Sequence, residues 1–134
     1  MAEALDWSFM VQGIEHAAIA SADPAKLAQW YVDHLGFVIN YKSSNSKTHF
    51  VKTPDGSMIE IIESKGPAGE PGLKDGGIRH LALLVKDFPE SCEKLRGLGV
   101  EFIVEPTTVS GNSTVFFRDC DGNILHLLHR EKPI

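Results

Sequence analysis

The feature that most constrains the fold of this chain is an internal repeat. Three blocks recur in the same order along the sequence: 13–18 as 77–82, 35–37 as 98–100, and 50–64 as 116–130. The offset between the copies stays between 63 and 66 residues, so short loop insertions account for the drift. Two copies of this length indicate a tandem duplication of one supersecondary unit and not a solenoid array.

Each copy carries the pattern of one helix surrounded by short strands. Alternating apolar residues indicate strands, and the Asp-Pro start and glycine end of residues 24–35 indicate a helix. The first unit is predicted to contain strands 14–20, 37–42, 48–53 and 58–63 around helix 24–35. The second is predicted to contain strands 78–85, 101–105, 113–118 and 123–128 around a helix from Pro89 to Leu98. The predicted order is therefore βαβββ, twice.

The length and the linker composition indicate how the two units are arranged along the chain. Residues 1–134 are expected to form a single α+β domain, because this length is that of one ordinary domain. The first unit covers about 13–64, a linker rich in glycine and proline covers 65–76, and the second unit covers about 77–130. The linker and the segment 107–113 are polar and contain glycine, so both are predicted to be loops that cover a binding cavity.

Composition and charge exclude several classes of function. The chain has 13 lysines and arginines against 18 aspartates and glutamates, and no basic run, so no nucleic-acid partner is expected. Its apolar stretches are far shorter than the roughly 20 residues of a membrane span, and residues 1–12, which lack a long apolar run, are not expected to act as a secretory signal. With only two cysteines, the expected location is the cytoplasm.

Four side chains able to bind a metal occupy equivalent positions of the two copies. His16 and His80 lie in the first predicted strand of each unit, and Glu60 and His126 lie in the last. Residues two positions away on the same strands are apolar, so all four side chains are predicted to point toward a buried sheet face. Buried imidazoles and carboxylates must be paired or bound to something. Three imidazoles and one carboxylate suit one divalent transition metal, such as nickel, zinc, cobalt, manganese or iron.

The same residues carry a family resemblance that extends from about Gly13 to His129. The motifs are Ile14-Glu15-His16, Trp30-Tyr31 before Leu35-Gly36-Phe37, and Asp121-Gly122-Asn123. With them the chain resembles the vicinal oxygen chelate superfamily, which includes glyoxalase I, bleomycin-binding proteins and extradiol dioxygenases, and it is most similar to the glyoxalase I group. The resemblance implies paired βαβββ units that form an open, U-shaped β-barrel with outer helices around one metal. It places His16, Glu60, His80 and His126 on the family's four metal positions.

The resemblance also implies an activity, with one departure. Glyoxalase I proteins usually have a glutamate, which also serves as a base, at the position of His126. Glu60 is therefore the expected catalytic base, with His126 as the second candidate. The implied function is a lyase or isomerase that chelates adjacent oxygens of a small-molecule substrate and stabilises an enediolate during proton transfer. Three alternatives stay open: an extradiol-type iron(II) dioxygenase, a metal-free drug-binding or resistance protein, and a thiol or glutathione transferase resembling fosfomycin-resistance proteins.

Family members often form dimers, sometimes with exchanged units so that one site spans two chains. A homodimer is therefore expected here. The N-terminal segment 1–12 contains Trp7, Phe9, Met10 and Val11. Such an apolar segment either covers a sheet edge or neighbouring subunit, or frays in solvent.

Overall fold

A computed structural model of the chain describes residues 6–66, 72–76 and 78–134. Within these residues, two helices and eight strands follow the predicted order βαβββ, twice. The first unit contains β1 (His16–Ser21), α1 (Pro24–Leu35), β2 (Val38–Lys42), β3 (His49–Lys52) and β4 (Met58–Glu63). The second contains β5 (Leu81–Leu84), α2 (Phe88–Gly97), β6 (Phe102–Val109), β7 (Asn112–Arg118) and β8 (Ile124–Arg130). The predicted α+β class is confirmed.

Both helices begin at the aspartates that the sequence places before a proline. The carboxylate of Asp23 accepts a hydrogen bond from the backbone N–H of Lys26, and Asp87 accepts one from Glu90. These bonds satisfy N–H groups that have no partner in the first turn of a helix. Helix α1 ends at Gly36, whose φ of 74° is a left-handed conformation that glycine adopts without strain.

Each unit forms one four-stranded mixed sheet. The strand orders are β1-β4-β3-β2 and β5-β8-β7-β6, so β4 and β8 are interior strands. In each sheet the first strand runs parallel to the fourth, and the other pairs are antiparallel. Strands β1 and β5 each have one hydrogen-bonding edge that no strand of the described chain pairs with.

The predicted starts of the first strand of each unit, at residues 14 and 78, are too early. His16 is the first residue of β1, and His80 immediately precedes β5. The register explains the start of β1, since His16 pairs with Met58, the first residue of β4. Upstream of this pair, β4 gives way to a turn and offers no partner. Strand β5 begins at Leu81, opposite Leu125, one residue after the start of β8 at Ile124.

The prediction of a covering loop over 107–113 is also wrong. Strand β6 continues to Val109, a tight turn at Ser110 and Gly111 follows, and β7 begins at Asn112. Both turn residues have positive φ, 52° and 79°, as in the two-residue turns that join antiparallel strands. Of the predicted linker, residues 67–71 lie outside the described residues, so its role as a cover stays a prediction.

One hydrophobic core joins the two units. Leu27, Ala28 and Tyr31 of α1 belong to the same buried cluster as Leu125 and other residues of the second sheet. The phenol of Tyr31 donates a hydrogen bond of 2.8 Å to Asp119 Oδ2, between β7 and β8. A second bond between the units runs from the Ser21 hydroxyl to Asp121. The two sheets are therefore held together through α1 and the β7–β8 turn.

Neither helix in the described part of the chain has the length and apolar character needed to cross a membrane.

Candidate metal centre

Strand alternation places all four candidate ligands on the sheet faces opposite the helices. In the first sheet, Ile59 and Ile61 enter the core with α1, so Glu60 between them points to the other face. In the second sheet, Leu125 and Leu127 enter the core, and His126 points away from it. His16 and His80 are each followed by a residue that faces the helix side of their sheet.

The candidate ligands lie in two pairs, of which His16 and Glu60 are called the first ligand pair and His80 and His126 the second. The Nε2 atom of His16 lies 3.9 Å from Glu60 Oε1. The other ring nitrogen, Nδ1, is 3.0 Å from Glu15 Oε1, so Glu15 holds the ring from behind. Both ligand side chains are about one third exposed, 34% for His16 and 28% for Glu60, which leaves them open to solvent or to a partner.

The second ligand pair consists of His80 and His126, whose ring centroids lie 4.5 Å apart. His126 is buried, and its Nδ1 has no hydrogen-bond partner. Burial, with the neighbouring His80 and Arg130, lowers the pKa of His126 to about 4. The ring is therefore neutral near pH 7, which is the form of histidine that binds metals.

The structure brings the candidates together as two pairs but not as a set of four. Among residues 6–66, 72–76 and 78–134, no three histidine, cysteine, aspartate or glutamate side chains lie close enough to hold a metal ion. The two pairs belong to different sheets, which are not hydrogen-bonded to each other within the described chain. A single chain thus carries two separate halves of the predicted site.

The prediction of a buried face around the ligands is wrong for the edge strands. Ile14 and Ile78, each two residues before a ligand histidine, are 92% and 89% exposed. Ala18 and Ala82, two residues after those histidines, are exposed as well. On the interior strands, Ile124 is buried, and Met58 and Ile62 are half-buried. Among the described residues, none covers Ile14 or Ile78.

The remaining histidines lie away from the ligand face. His49 pairs with the core residue Ile61 and so lies on the helix side of its sheet. His129 is exposed and alternates with His126 along β8. The ring of His34 stacks on Trp30 with centroids 4.5 Å apart.

Cys120, in the β7–β8 turn, is unsuited to thiolate chemistry. Partial burial and the carboxylates of Asp121 and Asp119 raise the pKa of its thiol to about 11. Since the thiolate is the nucleophilic form, Cys120 is unreactive near neutral pH.

The donor set fits a divalent transition metal. A buried imidazole nitrogen without a partner costs free energy unless something binds it, and His126 Nδ1 is such an atom. A second imidazole lies against that ring, and neutral imidazoles together with one carboxylate are ligands preferred by zinc, nickel, cobalt and iron(II). His80 and His126 would hold the metal from one side, and His16 and Glu60 would complete the set.

Paired βαβββ units that carry ligands on the faces opposite their helices define a class of protein. The sequence model of the Glyoxalase/Bleomycin resistance protein/Dioxygenase superfamily matches residues 13–127. The chain belongs to this superfamily.

Three similar proteins illustrate the range of the superfamily. A Synechocystis sp. protein described as a "probable lactoylglutathione lyase" is 30% identical over 122 residues, which cover 84% of this chain and 92% of the relative. A glyoxalase/bleomycin resistance/dioxygenase domain from Frankia sp. has a TM-score of 0.75 at 18% identity, covering 91% of this chain and all of that one. The fosfomycin resistance protein FosX from Listeria monocytogenes has a TM-score of 0.68 at 26% identity, covering 88% of this chain and 91% of its own.

Sequence reasoning missed two phenylalanines beside the ligands. Phe50 pairs directly with Glu60 across the first sheet, and Phe116 pairs with His126 across the second. Both rings contact ligand histidines. Their equivalent positions could have identified them, because Phe50 and Phe116 are the first residues of the two copies of the third repeated block.

Proposed function

We propose that the protein is a metal-dependent lyase or isomerase of the glyoxalase I type, acting on a small molecule with adjacent oxygens. The observation that carries metal binding is the buried His126 ring, which has an unpartnered nitrogen and lies against His80. The similarity to a protein named as a probable lactoylglutathione lyase supports this class of reaction over the dioxygenase and drug-binding alternatives. The unpaired Cys92 and Cys120 fit a reducing cytoplasm.

The site is proposed to form between two chains. The first ligand pair of one chain would meet the second ligand pair of its partner, and a symmetric homodimer would contain two such sites. The exposed Ile14 and Ile78 and the unpaired edges of β1 and β5 are the features that a partner would cover. Trp7, Phe9 and Val11 are also exposed, so they cover no sheet edge in their own chain.

To form the site within one chain, the two units would have to separate from their present packing and meet again in a different arrangement. Tyr31 is fully buried between them and bonded to Asp119, and both sheets contribute to one core. Bringing the two ligand pairs together inside one chain would break this packing, whereas adding a second chain would leave it intact. Forming the site in a dimer therefore requires less free energy than forming it within one chain.

In the proposed reaction, a proton moves between adjacent carbons of the substrate. A divalent metal supplies, when bound, positive charge that stabilises a negatively charged oxygen. Glu60 takes the proton from a carbon next to a carbonyl onto a carboxylate oxygen and returns it to the neighbouring carbon. Phe50, which pairs with Glu60 across the first sheet, supplies an apolar side chain beside this carboxylate.

Exchange with deuterated water tests this role of Glu60. We expect the metal-loaded protein to exchange the transferred hydrogen of a 2-oxoaldehyde–thiol adduct, measured by proton NMR. Glu60→Gln should slow the exchange by about 100-fold or more, because the amide cannot accept the proton. Glu63→Gln, on the same strand but on the helix side, is the matched control and should leave the rate unchanged. Equal rates in wild type and Glu60→Gln, or no exchange in the loaded wild type, would contradict the proposal.

His126→Glu tests the alternative base. If the histidine only replaces a missing carboxylate, this substitution should raise the exchange rate. A complete loss of exchange in His126→Glu, with the metal still bound, would instead assign the proton transfer to His126.

A further inference from the structure

The two units share a second repeated feature beside their ligands, a phenylalanine directly across from the last-strand ligand. Phe50 lies opposite Glu60, and Phe116 lies opposite His126. Each ring meets the first histidine of its unit edge-on: Phe50 and His16 are 5.4 Å apart at 75°, and Phe116 and His80 are 5.6 Å apart at 89°. The same arrangement of rings therefore recurs on the ligand face of both units.

The second unit adds a contact that the first unit lacks. The ring of Phe116 also stacks on His126, with centroids 4.6 Å apart and planes 25° apart. His80, His126 and Phe116 therefore pack as three mutually contacting rings. Glu60 has no ring, so Phe50 can stack on nothing equivalent.

The two ligand pairs also differ in how their histidines are oriented. Metal-binding histidines are usually held by a hydrogen bond to the nitrogen that does not bind the metal. Glu15 lies where it can do this for His16, at 3.0 Å from Nδ1. For His126, neither ring nitrogen has a hydrogen-bond partner among the described residues, and its plane is restrained by the rings of His80 and Phe116, whose centroids lie 4.5 Å and 4.6 Å away.

We propose that Phe116 is the positioning residue of the second ligand pair, which fixes the planes of His80 and His126 by aromatic packing in place of a hydrogen bond. This inference rests on the proposed metal centre. A stacked neighbour and an edge-on neighbour restrict rotation of both imidazoles, so their lone pairs are already oriented before a metal arrives. Phe50 has a smaller role, because His16 is the only ring of the first ligand pair and Glu15 already orients it.

The test compares Phe116→Leu, Phe116→Tyr and Phe50→Leu by zinc affinity, measured in competition with a chromophoric chelator. Leucine keeps apolar bulk but removes the ring, and we expect a 10- to 100-fold loss of affinity, the range for residues that orient metal ligands. Tyrosine keeps the ring and should restore affinity to within about threefold, and Phe50→Leu should also stay within about threefold. The visible spectrum of the cobalt-saturated protein should change in Phe116→Leu only, since it reports ligand geometry.

Phe102→Leu controls for loss of a phenylalanine from the same unit, because Phe102 contacts Arg96 and no ligand. It should leave both the zinc affinity and the cobalt spectrum unchanged. If wild type binds zinc and Phe116→Leu binds it equally well, the inference about Phe116 is overturned and the metal centre stands. If wild type itself binds no metal, the proposed function fails and this inference with it. Urea unfolding of each variant distinguishes an affinity loss from a folding defect.

Discussion

Replacing either histidine of the second ligand pair by alanine is expected to lower metal affinity by at least 100-fold. A site with four ligands loses both a bond and its coordination geometry when one is removed, which costs more than the 10- to 100-fold effect of an orienting residue. Elemental analysis of protein purified without a metal-affinity tag should show about one equivalent of metal per chain in wild type and less than about a tenth in His80→Ala or His126→Ala.

The same loss in His16→Ala is the more informative part of this experiment. His16 lies in the first sheet and takes no part in the ring contact between His80 and His126. A metal bound by His80 and His126 alone would therefore not depend on it. We expect His16→Ala to lose the metal as completely as His80→Ala. His129→Ala, three residues from His126 but on the opposite face, is the control and should retain it. Metal retention in His16→Ala would contradict a four-ligand centre.

Replacing Asp119 by alanine is expected to have the largest effect on stability, about 3 to 5 kcal/mol. Its buried carboxylate accepts five hydrogen bonds, from the Tyr31 phenol, the Asn123 side chain twice, and the backbone N–H groups of Asp121 and Asn123. Alanine would leave the buried Tyr31 phenol and several partly buried N–H groups without an acceptor, which is among the costliest kinds of substitution. Urea unfolding measures the change.

Two further variants separate the turn from the link between the units. Tyr31→Phe removes only the bond between α1 and the turn and should cost about 1 to 3 kcal/mol, as for a hydrogen bond to a charged group. Asp55→Ala, in the exposed β3–β4 turn of the first unit, should change the free energy of unfolding far less. If Asp119→Ala were no more destabilising than Asp55→Ala, the buried link would not be what holds the units together.

Local signals in the sequence predicted the helices and most strands. Asp23, Pro24 and Gly36 define α1 from Pro24 to Leu35 because capping and helix termination depend on residues near in sequence. Strand ends depend on distant partners. Thr107 and Val109 belong to β6 because Thr114 and Asn112 pair with them, and β1 begins at His16 because its partner strand β4 begins at Met58.

The four candidate ligands could be named from the repeat, but their surroundings could not. The apolar neighbours of His16 and His80 predicted a buried face, and the structure leaves Ile14 and Ile78 exposed. A pattern of apolar residues predicts a covered face, but it does not indicate whether the same chain provides the cover. The Tyr31–Asp119 bond was missed because its partners lie 88 residues apart. The phenol itself was a signal, since a buried tyrosine hydroxyl needs a partner.

The most direct test of a metal centre shared by two chains is to mix His16→Ala with His80→Ala and measure bound metal after subunit exchange. In a mixed dimer, one of the two sites combines the intact first pair of one chain with the intact second pair of the other. Random exchange should therefore restore about one quarter of the wild-type metal content. A mixture of His16→Ala with Glu60→Ala, both altered in the first pair, should restore none. Metal content that stays at the level of the separate variants in both mixtures would contradict a site built from two chains.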